Sequence, residues 1–217
     1  MHIPASQKKQ IDSLTDRFPE LAPLAETIYK YFCILKDAFI SNHRVFIAGN
    51  GGSASDANHI VGELMKGFKL KRPISRRDAE KIISIDSDRA IQIIKNLQCG
   101  LPIYSLTEQS SLVTAYINDV SSENVFAQQV FNYGSEGDIF WGITTSGNSQ
   151  NIVNAAIVAK AKGLKVLGLT GEFGGEMLKY ADCIIKVPSH ETYLVQEYHL
   201  PIYHCLCLML EEYFYEQ

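Results

Sequence analysis

The chain has 217 residues, of which 46% are hydrophobic and 20% charged. This is ordinary composition for a water-soluble globular protein, long enough to bury a core without disulfides or a structural metal. Its 20 Lys and Arg against 24 Asp and Glu give a formal net charge of −4, without the basic surplus by which nucleic-acid binders neutralise phosphate.

No run of about 18 uncharged apolar residues suggests a membrane span. Met1-His2-Ile3-Pro4 and the polar residues after it show no basic-then-apolar leader pattern. The five cysteines Cys33, Cys99, Cys183, Cys205 and Cys207 are scattered and contain no Cys-x-x-Cys pair. A reducing cytoplasm is therefore expected. Cys205 and Cys207 fall in an apolar helical stretch and read as small buried hydrophobes.

In chain order, residues 6–18 read as a short helix ended by Pro19. Residues 22–41 follow as a second helix with Leu24, Ile28, Tyr31, Leu35 and Phe39 at helical spacing. The two form an expected helical appendage over residues 1–42, ahead of an α/β domain over 43–217. Packing on a partner subunit and packing on the chain's own core are equally physical for them.

Arg44–Ala48 is a compact apolar run that reads as a buried strand. Ser53 or Ser55 is the expected cap of a helix reaching about Phe68. Lys66, Lys69, Lys71, Arg72, Arg76 and Arg77 form a basic run, read as a solvated helix end and loop. Residues 74–100 are charged and less regular, with one helical segment near 88–97. A strand is expected at Leu101–Leu106 and a helix at 122–133. Gly137–Ile143 is a strand leading to a helix from about 150 to 162. Lys165–Thr170 and Cys183–Val187 are further strands, and 192–215 is a long terminal helix. Strands alternating with helices predict a parallel sheet covered on both faces, a doubly wound α/β fold.

Two loops stand out. Gly49-Asn50-Gly51-Gly52-Ser53 and Thr144-Thr145-Ser146-Gly147-Asn148-Ser149 each follow a strand and open a helix. Backbone N–H groups lack intrahelical partners there and the helix dipole is positive, so an anion is welcome. Glycine allows close backbone approach, and hydroxyls add donors for phosphate oxygens. Neither loop is a Walker A motif or a G-x-G-x-x-G turn. An ordinary tight turn and cap is the plainer alternative.

His59 and Glu63, four apart, share one face of the helix after the first loop. They suit either a shared divalent cation or a simple hydrogen-bonded pair. The terminal helix carries Gln196, Glu197, His199 and His204 among apolar residues, where buried polar groups need partners. Gln196 and His204 are about two turns apart on roughly one side, with Pro201 between them as a candidate kink.

With these residues in place, the chain resembles the sugar isomerase (SIS) domain group, and within it the phosphoheptose isomerases. Gly49–Ser53 with Asp56, His59 and Glu63 is similar to the family's first signature. Thr144–Ser149 is similar to its second, and Gln196-Glu197 with His204 to its third. The resemblance runs from about Arg44 to the C-terminus. It implies a doubly wound SIS-type parallel sheet, a homotetramer with sites at subunit contacts, and metal-dependent aldose–ketose isomerisation. The implied substrate is sedoheptulose 7-phosphate, converted through an enediol to glycero-manno-heptose 7-phosphate, with no role for nucleic acid or membrane.

The same resemblance implies one zinc ion per subunit on His59, Glu63, Gln196 and His204, with Glu63 and His204 carrying the proton transfers. Asn50, Gly51, Gly52, Ser53 and Gln196 are implied to line the sugar site, and Asn118 and Asp119 to touch sugar hydroxyls. The phosphate is implied to rest on Thr144, Thr145, Ser146 and Ser149. Two departures are visible. Tyr193 stands where the family often has an acidic residue, and residues 74–100 look like an insertion. A non-catalytic phosphosugar-binding regulator of the same fold is the competing expectation.

Overall fold

The computed structural model describes residues 3–216. Residues 1, 2 and 217, at the ends of the two expected segments, lie outside the described residues. Five strands form one wholly parallel sheet. They are β1 (Val45–Ala48), β2 (Ile103–Ser105), β3 (Ile139–Thr144), β4 (Lys165–Thr170) and β5 (Cys183–Lys186), in the spatial order β2-β1-β3-β4-β5. Val45 to Ala48 pair in register with Ile139 to Gly142, and Ile139 to Thr144 with Lys165 to Thr170. Every residue of β1 and β3 is buried, as expected of central parallel strands covered on both faces.

Alternation along the strands divides the core in two. Ile47, Trp141 and Leu167 face one side, where helices α1 (Ala5–Arg17), α2 (Ala25–Ile40), α3 (Gly52–Met65) and the long terminal helix pack. Phe46, Phe140 and Val166 face the other, under helices spanning Val125–Tyr133 and Gln150–Ala161. The helices of the expected N-terminal appendage share the first of these cores. Ile11, Leu14, Ile28, Tyr31 and Leu35 are buried with the sheet residues, and Leu21 joins them from the short 3-10 segment Pro19–Leu24.

The structure corrects several local expectations. Residues 74–100 hold two helices, α4 (Arg76–Ile85) and α5 (Ser87–Asn96), rather than one. Each has its own cap: Ser75 Oγ accepts from the Asp78 amide, and Asp86 Oδ1 from the amides of Asp88 and Arg89. A further helix, α6 (Ser110–Asp119), lies outside the expected elements; it fully buries no residue, and Val113 and Tyr116 pack half-buried against the second core. It is followed by α7 (Val125–Tyr133), α8 (Gln150–Ala161) and α9 (Thr192–Tyr215), the last continuous through Pro201. The cap of α3 is Gly51, at φ +55°, with Ser53 inside the helix and buried. No helix among the described residues is long and apolar enough to cross a membrane.

Arg72 is the largest departure, since it is buried rather than solvated. Its guanidinium lies 2.8 Å from Glu211 Oε1 and donates to the carbonyls of Leu64 (2.8 Å) and Glu63 (3.3 Å). The Glu211 carboxylate also accepts from the amides of Phe68 (2.7 Å) and Lys69 (2.8 Å). Tyr215 stacks on the guanidinium at 4.6 Å. Burial alone would raise the Glu211 carboxyl; the two amides and Arg72 outweigh it and hold the group below its ordinary value. The carbonyls at the end of α3, which have no partner within the helix, are thus closed by a buried cation that α9 neutralises.

Two stability predictions follow from burial. Glu211→Gln leaves the Arg72 charge buried and unpaired, at a cost of about 3–5 kcal/mol. Urea denaturation measures it, and a loss under about 1 kcal/mol would mean the pair behaves like a surface ion pair. His199 is fully buried on α9, and neither ring nitrogen is in hydrogen-bonding geometry. Burial pushes its pKa down to about 4, against a weaker opposing pull from the Thr170 backbone. Below pH about 6.5 the unfolded chain takes up a proton that the folded chain refuses. Stability is therefore complete above about pH 6.5 and declines towards pH 4, by about 3 kcal/mol in all. His199→Leu flattens that part of the pH–stability curve, and an unchanged slope would show that other groups set it.

Candidate functional site

Strand order reverses between β1 and β3, so the chain leaves these neighbouring strands in opposite directions. In open parallel sheets that reversal leaves a crevice at the C-terminal strand ends, where ligands bind. The Gly49–Ser53 loop leaves β1 there and the Thr144–Ser149 loop leaves β3. Both are built for close approach. Gly51 and Gly147 have φ of +55° and +72°, a region that L side chains resist. A Cβ on Gly147 would also collide with the Gly174 carbonyl.

Asn50, Gly51, Gly52 and Ser53 from the first loop, Thr144, Thr145 and Ser149 from the second, and Gln196 from α9 line one cavity of about 310 Å3. The N-termini of α3 and α8 open onto it. Thr144 Oγ1 and Ser149 Oγ lie 3.0 Å apart, a pair of hydroxyls beside unpaired helix amides that suits an anion. Gly52 is packed tightly against Gln196: a Cβ there would stand 2.5 Å from Nε2. Ser146 does not line this cavity, and its hydroxyl accepts from the Asn148 amide at 3.1 Å. Asn118 and Asp119 are also elsewhere. They sit exposed at the end of α6, with Asn118 Nδ2 donating to Asp119 Oδ1 at 2.7 Å.

Asn151 is a residue that sequence reasoning missed. Its amide and that of Asn50 exchange two hydrogen bonds of 2.9 Å and join the two loops. In sequence it is one polar residue among several in the first turn of a helix, with no signal to separate it from filler.

The second cluster lies two turns along α3 from Gly52. His59 Nε2 is 3.3 Å from Glu63 Oε1, and Glu63 Oε2 accepts from Lys66 Nζ at 3.3 Å. The rings of His59 and His204 stand nearly perpendicular with centroids 5.0 Å apart. His204 Nε2 is buried without a hydrogen-bond partner. Burial lowers the His204 pKa, the neighbouring His59 lowers it further, and Glu63 pulls it back. His204 lines a different cavity, about 340 Å3, with Gln10, Ser13, Arg17 and Lys69.

Three of the four expected metal ligands are thus neighbours, while Gln196 lies about 12 Å up the helix axis against the first loop. Among the described residues, no three His, Cys, Asp or Glu side chains form a metal-holding group. The donor types nonetheless fit a zinc-like cation: an imidazole beside a carboxylate, and a second imidazole with an orphaned buried nitrogen.

Tyr203 was also missed, as one aromatic in an apolar helix. It is buried, and its hydroxyl stands 2.9 Å from His59 Nδ1 and 3.3 Å from Asp56 Oδ1. Burial, then the facing Asp56 carboxylate, keep this phenol well above its ordinary pKa. Burial also raises Asp56, against the opposing pulls of Tyr203 and His59.

Comparison with known proteins places this geometry in a family. Residues 75–171 match the SIS domain family model. The chain is 40% identical over 176 residues to the phosphoheptose isomerase of Aneurinibacillus thermoaerophilus, covering 81% of this chain and 76% of that protein. It is 34% identical over 208 residues to the phosphoheptose isomerase of Akkermansia muciniphila, covering 96% of each. The solved structure of a phosphoheptose isomerase from Francisella tularensis matches with a TM-score of 0.73 at 26% identity, over 96% of this chain and 100% of that one. The corresponding structure from Neisseria gonorrhoeae gives 0.72 at 26% identity, over 93% and 94%. With its sheet order, its two loops and these relatives, the chain belongs to the phosphoheptose isomerase family of SIS-domain proteins, and it is a sugar-phosphate isomerase.

Proposed function

We propose that the chain interconverts sedoheptulose 7-phosphate and glycero-manno-heptose 7-phosphate, with one zinc ion per subunit. The observation that carries this reading is the single cavity that both loops share where strand order reverses. There the Thr144, Thr145 and Ser149 hydroxyls and the first amides of α8 take the phosphate, with Ser146 at the loop's edge. Asn50, Gly51, Gly52, Ser53 and Gln196 face the sugar. The names of the relatives support the seven-carbon substrate.

The chemistry falls to α3 and α9. Glu63 removes a proton from the carbon beside the ketose carbonyl, and His204 protonates the carbonyl oxygen, giving an enediol. Return of a proton to the former carbonyl carbon, with loss of the hydroxyl proton next to it, yields the aldose. Such groups act best when they titrate near the working pH. His59, Glu63 and His204, with Gln196, are the residues that would hold zinc, which when bound supplies Lewis-acid polarisation of the carbonyl. Phosphate binding away from the reacting carbons positions them.

We further infer a homotetramer in which neighbouring copies complete each site. Asn118 and Asp119 are exposed and do not line the cavity of their own chain, and they stand beside the exposed Ile117 and Val120. Such apolar residues at a site-bearing helix end suit an interface. A cytoplasmic location is supported by the five free cysteines. A second reading, a phosphosugar-binding regulator without turnover, is favoured by one observation: Gln196 lies apart from the other three ligands in a single chain.

Incubating the purified protein with sedoheptulose 7-phosphate, with and without a chelator, separates the readings. Aldose should form, and chelation should abolish it reversibly. Ligand binding without product from any ketose phosphate would select the regulator. Glu63→Gln should lower kcat by about 10²–10⁴-fold while leaving the denaturation midpoint essentially unchanged. Wild-type turnover in this variant would remove Glu63 as the base.

A further inference from the structure

The two ring nitrogens of His59 face different partners: Nδ1 the Tyr203 hydroxyl at 2.9 Å, Nε2 the Glu63 carboxylate at 3.3 Å. A hydroxyl has one proton to give, and that of Tyr203 has two claimants, His59 Nδ1 and Asp56 Oδ1. Asp56 has the stronger claim. Its Oδ2 is buried without a hydrogen-bond partner, and among the described residues Tyr203 is the donor to its Oδ1. An ionised carboxylate only accepts, and one left in the interior without a donor costs more than a rearranged neutral contact. A neutral imidazole has an alternative, because it can carry its proton on Nδ1 and donate to the Tyr203 oxygen.

Donation then runs from His59 Nδ1–H to Tyr203, and from Tyr203 O–H to Asp56. His59 Nε2 keeps its lone pair and faces the Glu63 carboxylate. Two acceptors 3.3 Å apart repel each other unless a cation lies between them. Tyr203 is well held for this task. It is 1% exposed and edge-on to both imidazoles, with centroids 5.5 Å from His59 and 5.0 Å from His204.

We propose that Tyr203, oriented by Asp56, is a positioning residue that locks His59 in the Nδ1–H tautomer and so presents Nε2 to a divalent cation shared with Glu63. The cation half of this statement rests on the metal-dependent reading above; the tautomer half does not. Second-sphere partners of this kind fix a ligand's orientation and raise its affinity for metal.

The test begins with metal-free, histidine-15N-labelled wild-type protein at pH 8, above the carboxylate range. Long-range 1H–15N correlation should show His59 with a pyrrole-type Nδ1 and a pyridine-type Nε2. Tyr203→Phe should move the proton to Nε2, where Glu63 accepts it, and should weaken zinc affinity by about 10–100-fold in chelator competition. Asp56→Ala should cause the same tautomer shift by freeing the Tyr203 proton for Nδ1, and it serves if Tyr203→Phe does not fold. A wild-type His59 protonated on Nε2, or a tautomer unmoved by either substitution, would overturn the proposal. An Nδ1–H tautomer in a wild-type protein that binds no zinc would uphold the positioning role and sink the metal reading.

Discussion

The packing of α3 along α9 is the constraint on which the rest of the molecule depends, and the buried Arg72–Glu211 pair fixes its far end. The two helices run side by side, with Gly52 against Gln196 at one end and the Arg72–Glu211 network at the other. His59, Glu63, Tyr203 and His204 lie between these two fixed points. A slip of one helix along the other by a single residue, about 1.5 Å, would break the contacts of His59 with Tyr203 and His204 together. An ion pair at this depth gains little net stability over an apolar pair of similar shape. What it adds here is register: Glu211 accepts from two loop amides as well as Arg72, and a complete set of partners exists in one alignment.

The first loop and the terminal helix are joined by absence of bulk rather than by charge. Gly52 is a glycine because Gln196 occupies the space a side chain would take. The same contact brings the amide of Gln196 to the rim of the cavity that holds the hydroxyl loop. The reversal of strand order supplies the crevice, glycines supply the close approach, and helix N-termini supply the unpaired amides. None of these requires a charged side chain, which is consistent with a site formed in a chain of modest net negative charge.

Much of this was legible in the sequence because it is local. Apolar runs ending at glycine or proline marked the strands, and helical spacing of Ile28, Tyr31, Leu35 and Phe39 marked α2. The two loops and the His59–Glu63 spacing are likewise visible within a few residues. What escaped depends on distant partners or on the lack of a buried face. Arg72 belongs to a run of basic residues, and only Glu211, 139 positions away, distinguishes it from its solvated neighbours. Helix α6 fully buries no residue, and α4 and α5 bury only Ala90 between them, so apolar residues such as Ile85, Ile91 and Ile117 stay exposed with no core of the same chain behind them. Tyr203 and Asn151 act through contacts across 144 and 101 positions, beyond the reach of any spacing rule.

The reciprocal amide pair between Asn50 and Asn151 has a bearing on how a sugar enters. Neither side chain is buried, and each offers one donor and one acceptor to the other. A ligand hydroxyl can do both, so an arriving polyol can replace either half of the handshake without leaving a polar group stranded. The pair thereby ties the first turn of α8 to the first loop through groups whose donor and acceptor a polyol hydroxyl can match.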